Sequence, residues 1–119
     1  MDDYERIIAL YRQPHNLGKL AKATHRGAAS NSNCGDEIAL ELRVADGKIA
    51  AAKFTGVGCA MSIACASLLT DKLKGMNVEA AGKISEADAS ALAGSDLSKN
   101  PGRKKCALLA HSALRDALK

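Results

Sequence analysis

The sequence predicts a mixed fold of helices around an antiparallel β-hairpin, on three observations. Ile38, Leu40, Leu42 and Val44 alternate with Glu37, Ala39, Glu41 and Arg43, the period of two that marks a half-buried strand. Asp46-Gly47 follows, a pair that takes the positive backbone angles of a tight turn, so Ile49 to Thr55 is predicted to return antiparallel. Beyond the hairpin, the runs from Ala60 to Lys74 and from Ala107 to Leu118 have the length and apolar content of helices.

The remaining elements follow in order. Tyr4, Ile7, Ile8 and Tyr11 stand at i, i+3, i+4 and i+7 behind acidic residues, which predicts a short amphipathic helix that Pro14 and Gly18 end. Lys19 to Asn33 is rich in Thr, Gly, Ser and Asn with little periodicity, and reads as loop or a poorly formed edge strand. The helix from Ala60 carries small residues on one side and is ended by Gly75. Asn77 and Ser85 can each cap a short helix, Ser85 with Asp88 as a capping box. Gly94 to Gly102 must be loop, so Cys106 is predicted to begin the final helix. No repeat or linker divides the chain, and residues 1–119 are expected to form one domain.

Composition excludes several functions. With one Phe, two Tyr and no Trp, the core must be filled by Leu, Ile, Val, Met and Ala, and platforms for stacking on bases are missing. A net charge of +4 suits an acidic protein partner better than nucleic acid. No stretch has the apolar length to cross a bilayer, so no membrane is expected. The acidic start Met1-Asp2-Asp3-Tyr4-Glu5-Arg6 is unlike a signal peptide, and the expected location is the cytoplasm, unless a precursor carries a targeting segment not included here. In a reducing compartment four cysteines are thiols, ligands or redox groups rather than a disulfide framework.

Three of those cysteines stand where a thiol is expected to ionise easily. Cys34 lies in Asn33-Cys34-Gly35-Asp36, Cys59 in Gly56-Val57-Gly58-Cys59 at the start of a helix whose dipole favours the thiolate, and Cys106 behind the cations Arg103-Lys104-Lys105. Cys34 and Cys59 flank the far ends of the hairpin and are expected to meet in space. Thiolates at such positions, with Asp36 two residues after the first, suit a soft metal or sulfur site. Cys65, six positions beyond Cys59, points elsewhere on a 3.6-residue turn and is assigned to core packing. His15, His25 and His111 are assigned surface or capping roles.

Three blocks carry a resemblance: Asn33-Cys34-Gly35-Asp36; Phe54-Thr55-Gly56-Val57-Gly58-Cys59-Ala60-Met61-Ser62-Ile63-Ala64; and Lys105-Cys106-Ala107-Leu108-Leu109. In order, spacing and flanks they resemble the signature blocks of the IscU, SufU and NifU N-terminal family of iron–sulfur cluster assembly scaffolds, and Tyr11-Arg12-Gln13-Pro14-His15-Asn16-Leu17-Gly18 resembles the family segment ahead of the first cysteine. The resemblance implies an α+β fold, a small three-stranded antiparallel sheet with helices packed on one face, and a metal site at one exposed end. It implies that Cys34, Cys59 and Cys106 are thiolate ligands and that Cys106 or Cys34 accepts persulfide sulfur from a cysteine desulfurase. A two-iron two-sulfur cluster would be built from iron and sulfide and delivered to apo iron–sulfur acceptor proteins, with zinc in the same site in the cluster-free form. Such a protein is a carrier rather than an enzyme.

The chain also departs from its relatives' pattern. Lys105 stands where the IscU branch has a histidine ligand, as in the SufU branch, and a protonated lysine has no lone pair to donate. Asp36 is then the internal candidate for the fourth ligand, an oxygen donor weakly matched to a soft centre and easily displaced. Lys105 is also placed to set the charge of Cys106 or to contact the desulfurase. The interval from Cys59 to Cys106 is too short for the insertion usual in the SufU branch. Asn100-Pro101-Gly102-Arg103 replaces the proline-rich chaperone-recognition segment of the IscU branch, which leaves a chaperone partner open. Two alternatives stand beside the scaffold: a zinc-dependent, SufU-like persulfide acceptor, and a structural zinc-binding interaction domain.

Overall fold

A computed structural model describes residues 2–31, 35–94, 97 and 100–119. In order the elements are α1 (Asp3–Arg12), β1 (His25–Asn31), β2 (Asp36–Ala45), β3 (Lys48–Val57), α2 (Ala60–Leu73), α3 (Val78–Gly82), α4 (Glu86–Ala91) and α5 (Pro101–Ala117). The strands form one antiparallel sheet in the order β1-β2-β3, so the fold is α+β with a three-stranded sheet. Asp46 and Gly47 both take positive φ, 52° and 77°, and close the β2–β3 hairpin where the sequence predicts.

Alternation along β2 decides which face is buried. Ile38, Leu40 and Leu42 point into the core with Phe54 and Ile49 of β3. A register shift beside Arg43 and Val44 lets Ile49 and Ala52, which differ in parity, share that inward face. Ala66, Leu69 and Leu73 of α2 and Leu109, Ala110, Ala113 and Leu114 of α5 cover it. A second apolar cluster joins Ile7 and Leu10 of α1 to Met61, Ala64 and Cys65 of α2 and to Cys106 and Ala107 of α5. Because α2 lies between the two clusters, nearly all of its length is buried, which its small residues permit.

The segment that reads as loop or edge strand is an edge strand over His25–Asn31, pinned by Gly27. A Cβ at Gly27 would stand 2.3 Å from both Ala113 O and Ala117 N, so only glycine lets β1 and α5 approach this closely. Ala28 N–H, at the same place, donates to Asp116 Oδ2 of α5 (2.9 Å).

Three local expectations are corrected. The last helix begins at Pro101, with Asn100 as its N-cap, so Cys106 sits in its second turn rather than at its start; Asn100 Oδ1 accepts from Arg103 N–H and stabilises the extra turn. On α1 the buried residues are Ile7 and Leu10, while Tyr4 and Tyr11 are exposed, because the helix meets α2 along a narrower stripe than its aromatic residues suggest. His111 is buried rather than superficial, and its Nε2–H donates to Ile84 O at 2.7 Å, which satisfies the ring inside the core. The caps at Asn77 and Ser85 form as read, the latter as a full capping box with Asp88.

The turn after α1 is fastened to α2 by polar groups. His15 Nδ1 pairs with Asp71 Oδ2 (2.6 Å), and Asn16 Nδ2 donates to Asp71 Oδ1 (2.8 Å) and Thr70 Oγ1 (2.9 Å). Partial burial would raise the Asp71 carboxyl, but the hydrogen bonds from His15 and Asn16 and the nearby cations outweigh it and hold it below the ordinary value. Among the described residues no helix is long and apolar enough to cross a membrane.

Candidate metal centre

Three elements, β2, α2 and α5, deliver side chains to one end of the sheet. Asp36 opens β2 and shares the parity of Ile38 and Leu40, so its carboxyl points to the covered face and is buried, 3% exposed. Opposite it the chain leaves β3 through Gly58, whose Cβ, if present, would lie 3.0 Å from Asp36 Cγ and 3.2 Å from its Oδ1. Glycine at this position is what gives the carboxylate room. Cys59 is the N-cap of α2 and is exposed, its side chain making no capping bond. Cys106 arrives from α5 and is buried.

One ligand atom from each of Asp36, Cys59 and Cys106 lies within 4.8 Å of the other two. Two sulfurs and a carboxylate oxygen at that spacing can share one tetrahedral zinc or iron, for which sulfur at about 2.3 Å and oxygen at about 2.0–2.2 Å are usual. The donor set therefore fits a thiophilic metal. Cys34, predicted as a third thiolate, falls outside the described residues. Cys65 takes no part: it packs in the core with its thiol 3.7 Å from Met61 Sδ, and burial pushes that thiol up to about 12.

The expectation that Cys106 ionises easily does not hold for the folded protein's own groups. Burial raises its thiol, the hydrogen bond and charge of Cys59 raise it further, and Asp36 adds to this, while the nearby Ser62 hydroxyl works the other way. The cations Arg103, Lys104 and Lys105 are exposed on the first turns of α5 and are too well solvated to reverse this. In this state the Cys106 thiol donates to Asp36 Oδ2 across 3.6 Å. The proton must leave before the sulfur can act as a ligand.

Sequence reasoning missed Ser62. It is fully buried, it donates to Asp36 Oδ2 at 2.7 Å, and its Oγ lies 3.5 Å from Cys59 Sγ. Its spacing of three residues from Cys59, one helical turn, was the signal that could have found it. Lys105 and Arg103 remain outside the cluster on the exposed rim, and a groove of about 360 Å³ beside Cys59 is lined by Tyr4, Ile7 and Ile8 of α1 together with Met61 and Arg103. His15, His25 and His111 also stay out of the cluster.

The chain is similar to known proteins over most of its length. The family model described as the NifU-like N terminal domain matches residues 2–119. The protein named iron–sulfur cluster assembly scaffold protein IscU from Thermotoga maritima is 38% identical over 116 residues, covering 86% of this chain and 82% of the relative. Its namesake from Haemophilus influenzae is 34% identical over 118 residues, covering 96% and 90%. A crystal structure from Fervidobacterium islandicum, described as a candidate iron–sulfur cluster assembly scaffold for the SUF system, superimposes with a TM-score of 0.80 at 27% identity over 97% of this chain and 95% of that one. With a family match over nearly its whole length, the chain belongs to the NifU-like N-terminal domain family.

Proposed function

We propose that this chain is a scaffold on which an iron–sulfur cluster is assembled and from which it is handed to acceptor proteins, residues 1–119 acting as one domain in the cytoplasm. The observation that carries the reading is the convergence of Asp36, Cys59 and Cys106 at one end of the sheet, in a chain of this family. Cys34, two residues before Asp36 in sequence, is the proposed third thiolate.

In this reading iron and sulfide are cargo. The thiolate of Cys106 or Cys34 attacks the outer sulfur of a desulfurase persulfide, the sulfur–sulfur bond breaks, and the desulfurase thiolate leaves. A thiol reductant then supplies two electrons per sulfur, releasing each persulfide sulfur as sulfide and regenerating the scaffold thiolate; thiolates of Cys34, Cys59 and Cys106 would hold the two-iron two-sulfur cluster formed with iron, and Asp36 would take the fourth position as a weak oxygen donor that an incoming acceptor thiol displaces. The chain's contribution is to bind, orient and release, without turnover chemistry of its own. Zinc, which shares the preference for thiolates, fits the same donors when no cluster is held.

Lys105 and the likeness to the SUF-system structure favour a second reading, a zinc-dependent relay that accepts persulfide without building a cluster. Anaerobic reconstitution with iron, cysteine and a cysteine desulfurase, followed by absorption and metal analysis, separates the two. A scaffold gains iron, sulfide and visible charge-transfer bands. Zinc retained with sulfur accumulating on cysteine supports the relay, and zinc retained with no sulfur accepted leaves a structural zinc domain.

A further inference from the structure

We infer that Ser62 is a positioning residue for the fourth ligand: its hydroxyl fixes Asp36 Oδ2 beside the site sulfurs and so decides whether the carboxylate can serve a metal. The inference rests on the metal-site reading above and goes one residue beyond it.

The geometry is specific. Ser62 Oγ is 2.7 Å from Asp36 Oδ2 and 3.5 Å from Cys59 Sγ, and the Cys106 sulfur is 3.6 Å from the same Oδ2. A hydroxyl has one proton to give, and the short contact to a carboxylate shows where it goes. Ser62 therefore spends its proton on Asp36 and offers Cys59 only a lone pair.

Ser62 and Asp36 are both buried, 0% and 3% exposed, so water cannot easily replace the lost donor if the hydroxyl is removed. Other serines and threonines buried on α2 behave differently: Ser67 and Thr70 donate to backbone carbonyls one turn back, Ile63 O and Ala66 O, as hydroxyls in helices commonly do. Ser62 alone of these three donates across to the sheet, to a residue of the site. When a metal takes the place of the Cys106 proton, the Ser62 bond is what remains to keep Oδ2 directed at it, and groups that orient a ligand in this way typically govern metal affinity by 10–100-fold.

The test uses the full chain, metal-free and reduced, with Co²⁺ as the probe, because its visible ligand-field bands report the donor set directly. Ser62→Ala is expected to weaken Co²⁺ binding by roughly 10-fold and to move the bands toward those of Asp36→Ala. In the Asp36→Ala background the same serine change is expected to be silent, since Ser62 acts through that carboxylate. Thermal unfolding of each variant accompanies the titrations, and the silent double variant keeps the result interpretable if Ser62→Ala alone is less stable. Wild-type affinity and bands in Ser62→Ala overturn the inference, as does a serine effect that adds in full to that of Asp36→Ala. A wild type that binds Co²⁺ with these dependences yet assembles no cluster overturns the scaffold reading and leaves the role of Ser62 standing. A wild type that binds no Co²⁺ overturns both.

Discussion

Gly27→Ala tests how the site is held, because Gly27 is the point where the edge strand touches the helix that carries Cys106. Its added methyl would meet Ala113 O and Ala117 N at 2.3 Å and Ala117 Cα at 2.7 Å, all backbone atoms that no rotamer change can move. Since non-bonded carbon atoms rest at about 3.5–4.0 Å, β1 and α5 must separate by roughly 1 Å. Overpacking of this kind typically costs about 1–3 kcal/mol, and the gap opened along Ala110, Ala113 and Leu114 forfeits dispersion on top of it. The unfolded-state gain from replacing glycine offsets about 0.4–1 kcal/mol. A net loss of about 2 kcal/mol is expected, which for a chain of this size lowers Tm by roughly 5–10 °C. Urea unfolding followed by far-UV circular dichroism measures it, with Gly102→Ala as the control. Gly102 lies in the first turn of the same helix with nothing nearer its Cβ than Asn100 Oδ1 at 3.8 Å, and alanine there is expected to be neutral or stabilising. A Gly27→Ala protein within about 0.5 kcal/mol of wild type would refute the close approach of β1 and α5 on which the placement of Cys106 depends.

Three further outcomes follow from the same geometry. Asp36→Ala is expected to lengthen the life of an assembled cluster while slowing its transfer to an apo-ferredoxin, because a carboxylate suits a bare divalent ion better than a sulfide-bridged centre; faster anaerobic decay in the variant would make Asp36 a stabilising ligand instead. Cys65→Ala is expected to keep metal stoichiometry and Co²⁺ bands at wild-type values while losing about 1 kcal/mol of stability from the small cavity beside Met61, and a changed ligand spectrum would bring Cys65 back into the site. Asp71, held below its ordinary pKa, stabilises the fold above the unfolded value near about 4 and loses that contribution as pH falls through its lower folded value. The stability difference between wild type and Asp71→Asn should therefore shrink on acidification through that window, and a difference independent of pH in urea unfolding would contradict the His15–Asp71–Asn16 clasp.

Much of this was legible in the residues themselves. The parity of Ile38, Leu40 and Leu42, the Asp46-Gly47 turn, and the capping box at Ser85 and Asp88 are interactions between chain neighbours, whose geometry follows from local backbone chemistry and solvent exposure. Parity also contains the placement of Asp36, two residues before Ile38 and so on the same face. That Cys65 belongs to the core follows likewise from its position on a single helix.

Tertiary contact decided the rest. The segment around Gly27 is a strand because β2 lies beside it and α5 presses on it, and nothing in its own composition supplies that partner. The Cys106 thiol is raised because packing against α1 and α2 removes it from water and because Cys59 lies beside it, while the cations ahead of it on α5 stay exposed to solvent. Ser62 became a site residue only when α2 was laid across the start of β2, bringing its hydroxyl to a carboxylate 26 positions away in sequence. Burial and long-range hydrogen bonding depend on which surfaces meet, and a sequence specifies those only through the whole fold.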